Sequence, residues 1–314
     1  MRYLASVIVS LVVLTGCSNS SPAWKMLAPA PEARTEVAGA AVSGRVAVVG
    51  GLTADGVASA RVDLYDPRRS RWLRLPDLPD ARHHAMAASR GGRLYVVGGF
   101  GAGLDGARAS DRAWVLFDRR WHPLPDLPEA RAAGGAAIVR NRLYVIGGTR
   151  AAGPGALATA SMYLDLRTLR WRLFRGVSPA REHLGITALA GLVYAVGGRT
   201  AGIDSNVRTA EVYDPVARAW SRLPDAPTPR GGSVATTADR QVVSAGGEAE
   251  GGTIAAVDAY DPRLRRWRSL PRSPRPRHGA ALVGVGRTVY QALGAPEPGL
   301  SASPTLMAMR VPRD

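Results

Sequence analysis

At 314 residues the chain is long enough for two ordinary domains or for one large closed array. Its single cysteine excludes an internal disulfide and a thiolate metal cluster. A net charge of +16, carried almost wholly by arginine with Lys25 the sole lysine, invites a nucleic-acid reading. The export segment described next argues against it, so no nucleic-acid partner is expected.

Met1-Arg2 gives a short positive start, and residues 3–14 form a short apolar run. As a helix that run reaches about 18 Å, too short for a hydrocarbon core of roughly 30 Å, so it reads as a signal peptide rather than a span. Leu14-Thr15-Gly16-Cys17 resembles the terminal box of bacterial lipoprotein signals. The resemblance implies removal of residues 1–16, lipidation of Cys17 and a lipidated linker over residues 17–23. Several acyl chains, at about 0.8 kcal/mol per buried CH₂, would hold the protein at a membrane. The expected location is the bacterial cell envelope, and Ser18 after the cysteine points to the outer membrane, on its periplasmic side or surface.

From there tryptophan keeps time: Trp24, Trp72, Trp121, Trp171, Trp220 and Trp267 recur every 47 to 50 residues. Arg34, Arg82, Arg131, Arg181, Arg230 and Arg277 each follow a Trp by ten residues. Glycine pairs (Gly50-Gly51, Gly98-Gly99, Gly147-Gly148, Gly197-Gly198, Gly246-Gly247) form a third series, degraded at the end to Leu293-Gly294. A period of that length means a repeat array, and residues 24–314 are expected to form one domain.

One repeat shows the unit. Residues 84–89 and 93–97 are short apolar strands around Gly91-Gly92, and the second halts at Gly98-Gly99. Residues 113–118 give a third strand, and Arg119-Arg120 turns into a fourth at Trp121-His122-Pro123-Leu124. Prolines after it suit an outer edge, which can lose donors without breaking a central ladder. Four short antiparallel strands repeated around a centre make an all-β propeller.

The glycine pair ending strand two, the aromatic-Asp pair ending strand three (Tyr65-Asp66, Phe117-Asp118, Tyr213-Asp214, Tyr260-Asp261) and the Trp of strand four resemble the kelch repeat. The likeness covers about residues 24–311. Repeat three departs with Leu164-Asp165, and the last repeat lacks its glycine pair and its Trp. That last repeat offers three strands, while the chain begins with a solitary fourth-strand segment at Trp24-Lys25-Met26-Leu27. The N-terminal strand is therefore expected to complete a sixth blade and close the ring. A fully buried Trp in each blade would contribute up to about 4–6 kcal/mol.

Alternating strand direction sends the links from strand two to three and from four to one to the same face. The six periodic arginines are expected around the mouth of the central channel there, either bonded within their blades or forming a cationic ring for a carboxylate or acidic sugar. Beside them sit the least regular residues of the repeat: Thr35-Glu36, His83-His84, Ala132-Ala133, Glu182-His183, Gly231-Gly232 and His278-Gly279. Variation at a fixed address is what a site grafted on a symmetric scaffold shows. Glu36, His84, Glu182 and His183 carry its acid–base character. No metal-ligand spacing appears, so no metal and no cofactor is expected. The opposite face is rich in arginine, including Arg45, Arg68, Arg69, Arg119, Arg120 and Arg287, and would lie against an anionic membrane surface.

Galactose oxidase has kelch-type blades, but its cofactor depends on a Cys–Tyr crosslink that this chain cannot form. Exported sialic acid mutarotases are similar in size and repeat type, yet none of the four acid–base residues aligns to a catalytic motif. Short Gly/Ala-rich loops such as Ala102-Gly103 and Gly251-Gly252 also argue for a binding or scaffolding protein over an enzyme. The expected protein is a monomeric envelope lipoprotein binding a glycan, an acidic ligand or a protein partner at the mouth, with mutarotase-like sugar chemistry as the alternative.

Overall fold

The computed structural model describes residues 23–101, 108–153 and 155–312. The signal segment, Cys17 and the Ala102-Gly103 loop lie outside them. Every regular element among the described residues is a strand, arranged in six antiparallel sheets around a common centre. Blade 1 runs outward as Ala38–Val42, Arg45–Val49, Val62–Asp66 and Arg71–Arg74. Blade 2 repeats it as Met86–Arg90, Arg93–Val97, Ala113–Phe117 and Arg120–Pro123. Its first strand starts at Met86 rather than His84, because His84 takes a left-handed backbone, φ +53°, that leaves the ladder.

Innermost strands rich in Ala and Gly let six blades converge. A Cβ on Gly39 of blade 1 would stand 2.6 Å from that of Ala281 in blade 6, and one on Gly135 only 2.4 Å from Ile186. The apolar core lies between neighbouring blades. Val46, Val48 and Tyr65 of blade 1, for example, pack with Val283, Tyr290 and Leu306 of blade 6. Blade 6 itself consists of Ala281–Val285, Thr288–Ala292 and Leu306–Arg310, completed by Lys25–Leu27. Lys25 stands opposite Ala308, Met26 opposite Met307 and Leu27 opposite Leu306. The two ends of the chain thus close the ring in one sheet, as the missing last Trp implies.

The periodic tryptophans are half-buried rather than fully buried, so the apolar bound of about 4–6 kcal/mol per blade is too high. What they share is a hydrogen bond to the preceding blade. Trp24, Trp72, Trp121, Trp171, Trp220 and Trp267 donate Nε1–H to the carbonyls of Pro271, Ala28, Pro76, Pro125, Arg175 and Pro224, all within 2.8–3.0 Å. Each acceptor lies at the end of the fourth strand of the blade before or just beyond it. The clock in the sequence is a set of inter-blade fastenings.

The arginines also hold the frame. Arg34, Arg131, Arg181, Arg230 and Arg277 are at most 1% exposed and do not open on the channel mouth. Their guanidiniums donate to the carbonyls of Gly50, Gly147, Gly197, Gly246 and Leu293, the first residue of each glycine pair or its last-blade substitute. Four of them reach a carboxylate: Asp63 for Arg34, Glu129 for Arg131, Glu211 for Arg181 and Asp258 for Arg230. Asp63, Glu211 and Asp258 occupy one position on strand three, facing Val48, Ala195 and Ser244. In blade 2 Trp114 has that position, and Arg82 lies over its ring at 5.4 Å while bonding Asp80 and Ser110. Of the two readings of the periodic arginines, bonding within the blades is the one these contacts match.

Candidate functional site

The residue two past each periodic arginine has the same backbone in every blade. Glu36, His84, Ala133, His183, Gly232 and Gly279 all have left-handed φ, between +51° and +66°. Their amides join neighbouring blades: His84 N–H donates to Glu36 O, Ala133 to His84 O, His183 to Ala133 O and Gly279 to Gly232 O. This girdle rims a cavity of about 110 Å³ at one end of the channel, and all six residues line it. Glycine adopts such a backbone freely, whereas other residues bear a cost of roughly 1–2 kcal/mol each. Two blades have glycine here and one has alanine; the other three carry Glu36, His84 and His183. Strained backbone of this kind clusters at functional sites, which makes these three addresses candidates for one.

Around these three the structure gathers a polar cluster. His84 Nε2 lies 3.1 Å from Glu36 Oε2, and its Nδ1 lies 2.7 Å from His83 Nδ1. His278 Nδ1 meets Glu36 Oε1 at 3.1 Å and its Nε2 stands 3.5 Å from Glu248. The Glu36 carboxylate leans over Gly279, where a Cβ would come within 2.6 Å of it, which explains the bare sixth address. His183 Nδ1 meets Glu182 Oε1 at 3.1 Å, and Arg199 bonds both Glu182 and Glu248 at 3.0 Å. The His84 and His183 rings meet edge-on with centroids 5.0 Å apart. Four of the chain's five histidines are therefore at this mouth, the fifth being His122 on an outer strand.

The charges divide by environment. Burial pushes the Glu36 carboxyl up, but His84, the hydrogen bond from His278 and His183 outweigh it and hold it below the usual carboxylate range. Burial drives His84 down to about 3 despite Glu36, so its imidazole is neutral at neutral pH. Burial also lowers His278, yet its hydrogen bond to Glu36 and the fields of Glu36 and Glu248 raise it above the ordinary value. Glu182, which burial pushes up, is brought down to about 2 by His183 and Arg199. Ionised carboxylates thus stand beside a neutral imidazole, and Arg199 and His278 are each already engaged by a carboxylate.

Glu36, His84, Glu182 and His183 come together as the sequence suggests; the six arginines do not join them. Arg199 and Glu248 are the site residues that sequence reasoning missed, while His83 and His278 stood at the irregular address but outside the acid–base set. Arg199 and Glu248 directly follow glycine pairs, at the address held elsewhere by Leu52, Phe100, Thr149 and Ala295. Variation after the glycine pair was the signal for them. Glu36, His84 and His183 each offer a ligand atom, and these atoms lie within 4.8 Å of one another. No metal-ligand spacing marks them because each comes from a different blade.

Comparison with known proteins agrees with this architecture. The Kelch motif is matched over residues 180–227, which run from the channel address of blade 4 to its outer strand. The chain is a six-bladed propeller that carries the kelch motif. An F-box/kelch-repeat protein of Arabidopsis thaliana is 36% identical over 69 residues, 22% of this chain. The match spans only 18% of that relative's length. Among solved structures, the one titled "Structure of YjhT" superposes with a TM-score of 0.78, covering 92% of this propeller and 97% of that chain. At 15% identity it is a likeness of fold.

Proposed function

We propose that this kelch propeller is a binding protein that takes a hydroxyl-rich ligand, a glycan, at the mouth rimmed by Glu36, His84 and His183. The observation that carries the reading is the left-handed backbone at those three residues, in positions where glycine would be unstrained. Ionised carboxylates accept hydroxyl protons, and the neutral His84 imidazole both donates and accepts. An acidic ligand is disfavoured, because Arg199 and His278 are already engaged by Glu182, Glu248 and Glu36. A cavity of about 110 Å³ admits part of a sugar, so the remainder would rest on the surrounding loops.

A thermal-shift screen of neutral hexoses, amino sugars, uronic acids and sialic acids against the full chain in detergent tests this. Stabilisation by a neutral or amino sugar, lost in Glu36→Gln and His183→Ala, is the expected result. Stabilisation by no sugar, or stabilisation that both variants retain, removes the mouth as a glycan site. Proton transfer on the bound sugar is a second reading, favoured by ionised Glu36 lying 3.1 Å from neutral His84. Anomer exchange of a bound sugar by NMR, absent in Glu36→Gln, separates it from simple binding.

The envelope setting belongs to the same proposal. Cys17 lies outside the described residues; its lipid would enter on the face from which fourth strands start, the arginine-rich one. A Cys17→Ala chain should bind anionic vesicles in a salt-sensitive way. Binding unaffected by salt, or none, would detach the basic face from the membrane.

A further inference from the structure

We propose that the mouth binds one divalent transition metal ion, zinc by its chemistry, through Glu36, His84 Nε2 and His183 Nε2. The inference rests on the mouth being the ligand site and names what holds the ligand there. Two imidazoles and a carboxylate with open positions toward a channel are the donor set of an accessible zinc site. Donors on a tetrahedral zinc with bonds of about 2.0–2.2 Å stand roughly 3.3 Å apart. Glu36 Oε2 and His84 Nε2 are 3.1 Å apart, and a ring nitrogen of His183 lies within 4.8 Å of a donor atom on each of the other two, so a small inward turn of His183 completes the set.

The surrounding shell points the same way. Metal-binding histidines characteristically give their second ring N–H to a carboxylate or similar acceptor, which directs the remaining lone pair at the ion. Glu182 Oε1 lies 3.1 Å from His183 Nδ1 and can take its proton, which directs Nε2 to the ion once it turns away from Arg199 Nη2, now 3.3 Å from both ring nitrogens. His83 Nδ1 faces His84 Nδ1 at 2.7 Å and can fix His84 in the same tautomer. His278 holds the far oxygen of Glu36 at 3.1 Å, so the near oxygen is the one presented. Arg199 in turn anchors Glu182 at 3.0 Å. Each donor therefore has its own orienting partner, and all three sit at equivalent addresses of the hydrogen-bonded girdle.

The full chain in detergent, stripped with EDTA, should take up about one equivalent of Co²⁺ with the visible absorption of a low-coordinate nitrogen–oxygen site, and Zn²⁺ should displace it. His84→Ala and His183→Ala should each abolish uptake, while His122→Ala on an outer strand should leave it unchanged. Glu182→Gln, which removes no donor atom, should weaken zinc by about 10–100-fold through His183. No saturable uptake, or uptake that survives the double histidine variant, overturns the proposal. Should a variant fail to fold, as judged by circular dichroism in EDTA, carbethoxylation of the unmodified chain provides the second measurement. Zinc must protect His84 and His183 while leaving His122 reactive, and unprotected mouth histidines overturn it equally. Repeating the sugar screen in EDTA and in zinc separates the two readings. A sugar bound equally in both, without metal uptake, ends the metal proposal and keeps the glycan. Metal uptake with no sugar response keeps the metal and ends the glycan.

Discussion

At the residue scale, the buried arginines and the strained girdle residues divide structure from function. Arg230 and Asp258 lie 2.6 Å apart and are essentially unexposed, so removing one leaves a buried charge without its partner. Arg230→Met should cost about 3–5 kcal/mol in chemical denaturation, and adding Asp258→Leu should recover most of it. Ligand binding at the mouth should persist in the double variant; its loss would return the arginine to the site. The sequence showed that these arginines are periodic but not which way they turn, since the carboxylates on strand three are far from them along the chain. Asp66 on the opposite face illustrates a titrating strut. Burial pushes it up, but hydrogen bonds from Arg45, Arg69 and the Arg68 and Arg69 amides bring it down to about 2. Its contribution to stability is therefore complete above its ordinary value of 3.8 and is lost as pH falls through about 2. Acid melting curves of Asp66→Asn should lack that component.

At the scale of the element, the glycine pair and the tryptophan explain why the repeat is written as it is. Gly98 has φ +63°, and a Cβ there would lie 2.0 Å from the Arg131 carbonyl of the next blade. Gly44, in a tight turn at φ +76°, has open space around the same position. Gly44→Ala should cost only the left-handed penalty of about 1 kcal/mol, whereas Gly98→Ala should cost several times more. Equal losses in paired denaturation curves would show that blade contact is not what the pair protects. In the last blade Leu293 adopts φ +62° itself, so the degraded pair keeps its geometry. Trp171→Phe, which removes the bond to Pro125 but keeps an aromatic ring, should lose about 1 kcal/mol. Strand positions and blade count were legible because period and turn chemistry are local. The fastening from each Trp to the blade before it was not, because its partner is a backbone carbonyl that carries no residue signature.

At the scale of the whole molecule, symmetry supplies the frame and departures from symmetry supply the site. Half of the mouth was readable as irregular residues beside the arginines; the other half follows the glycine pairs and is bridged to the first within each blade, a pairing some 17 residues apart along the chain that leaves no local signature. Closure itself depends on a short segment. Lys25–Leu27 pairs with Leu306–Arg310, Trp24 bonds Pro271 of blade 5, and Ala28 accepts from Trp72 of blade 1. Deleting residues 18–30 should lower the melting temperature clearly, and an unchanged value by calorimetry would refute the closure.

The same segment decides what happens to a damaged copy. A chain clipped after Ala28 keeps three strands in its last blade and presents the bare flank of Leu306–Arg310 to solvent. An unpaired flank of that kind recruits whatever strand is offered, and the best-matched one is the N-terminal segment of an intact neighbour. Proteolysis at the N-terminus would thus turn a self-contained ring into a seed for exchanged dimers and longer chains of copies.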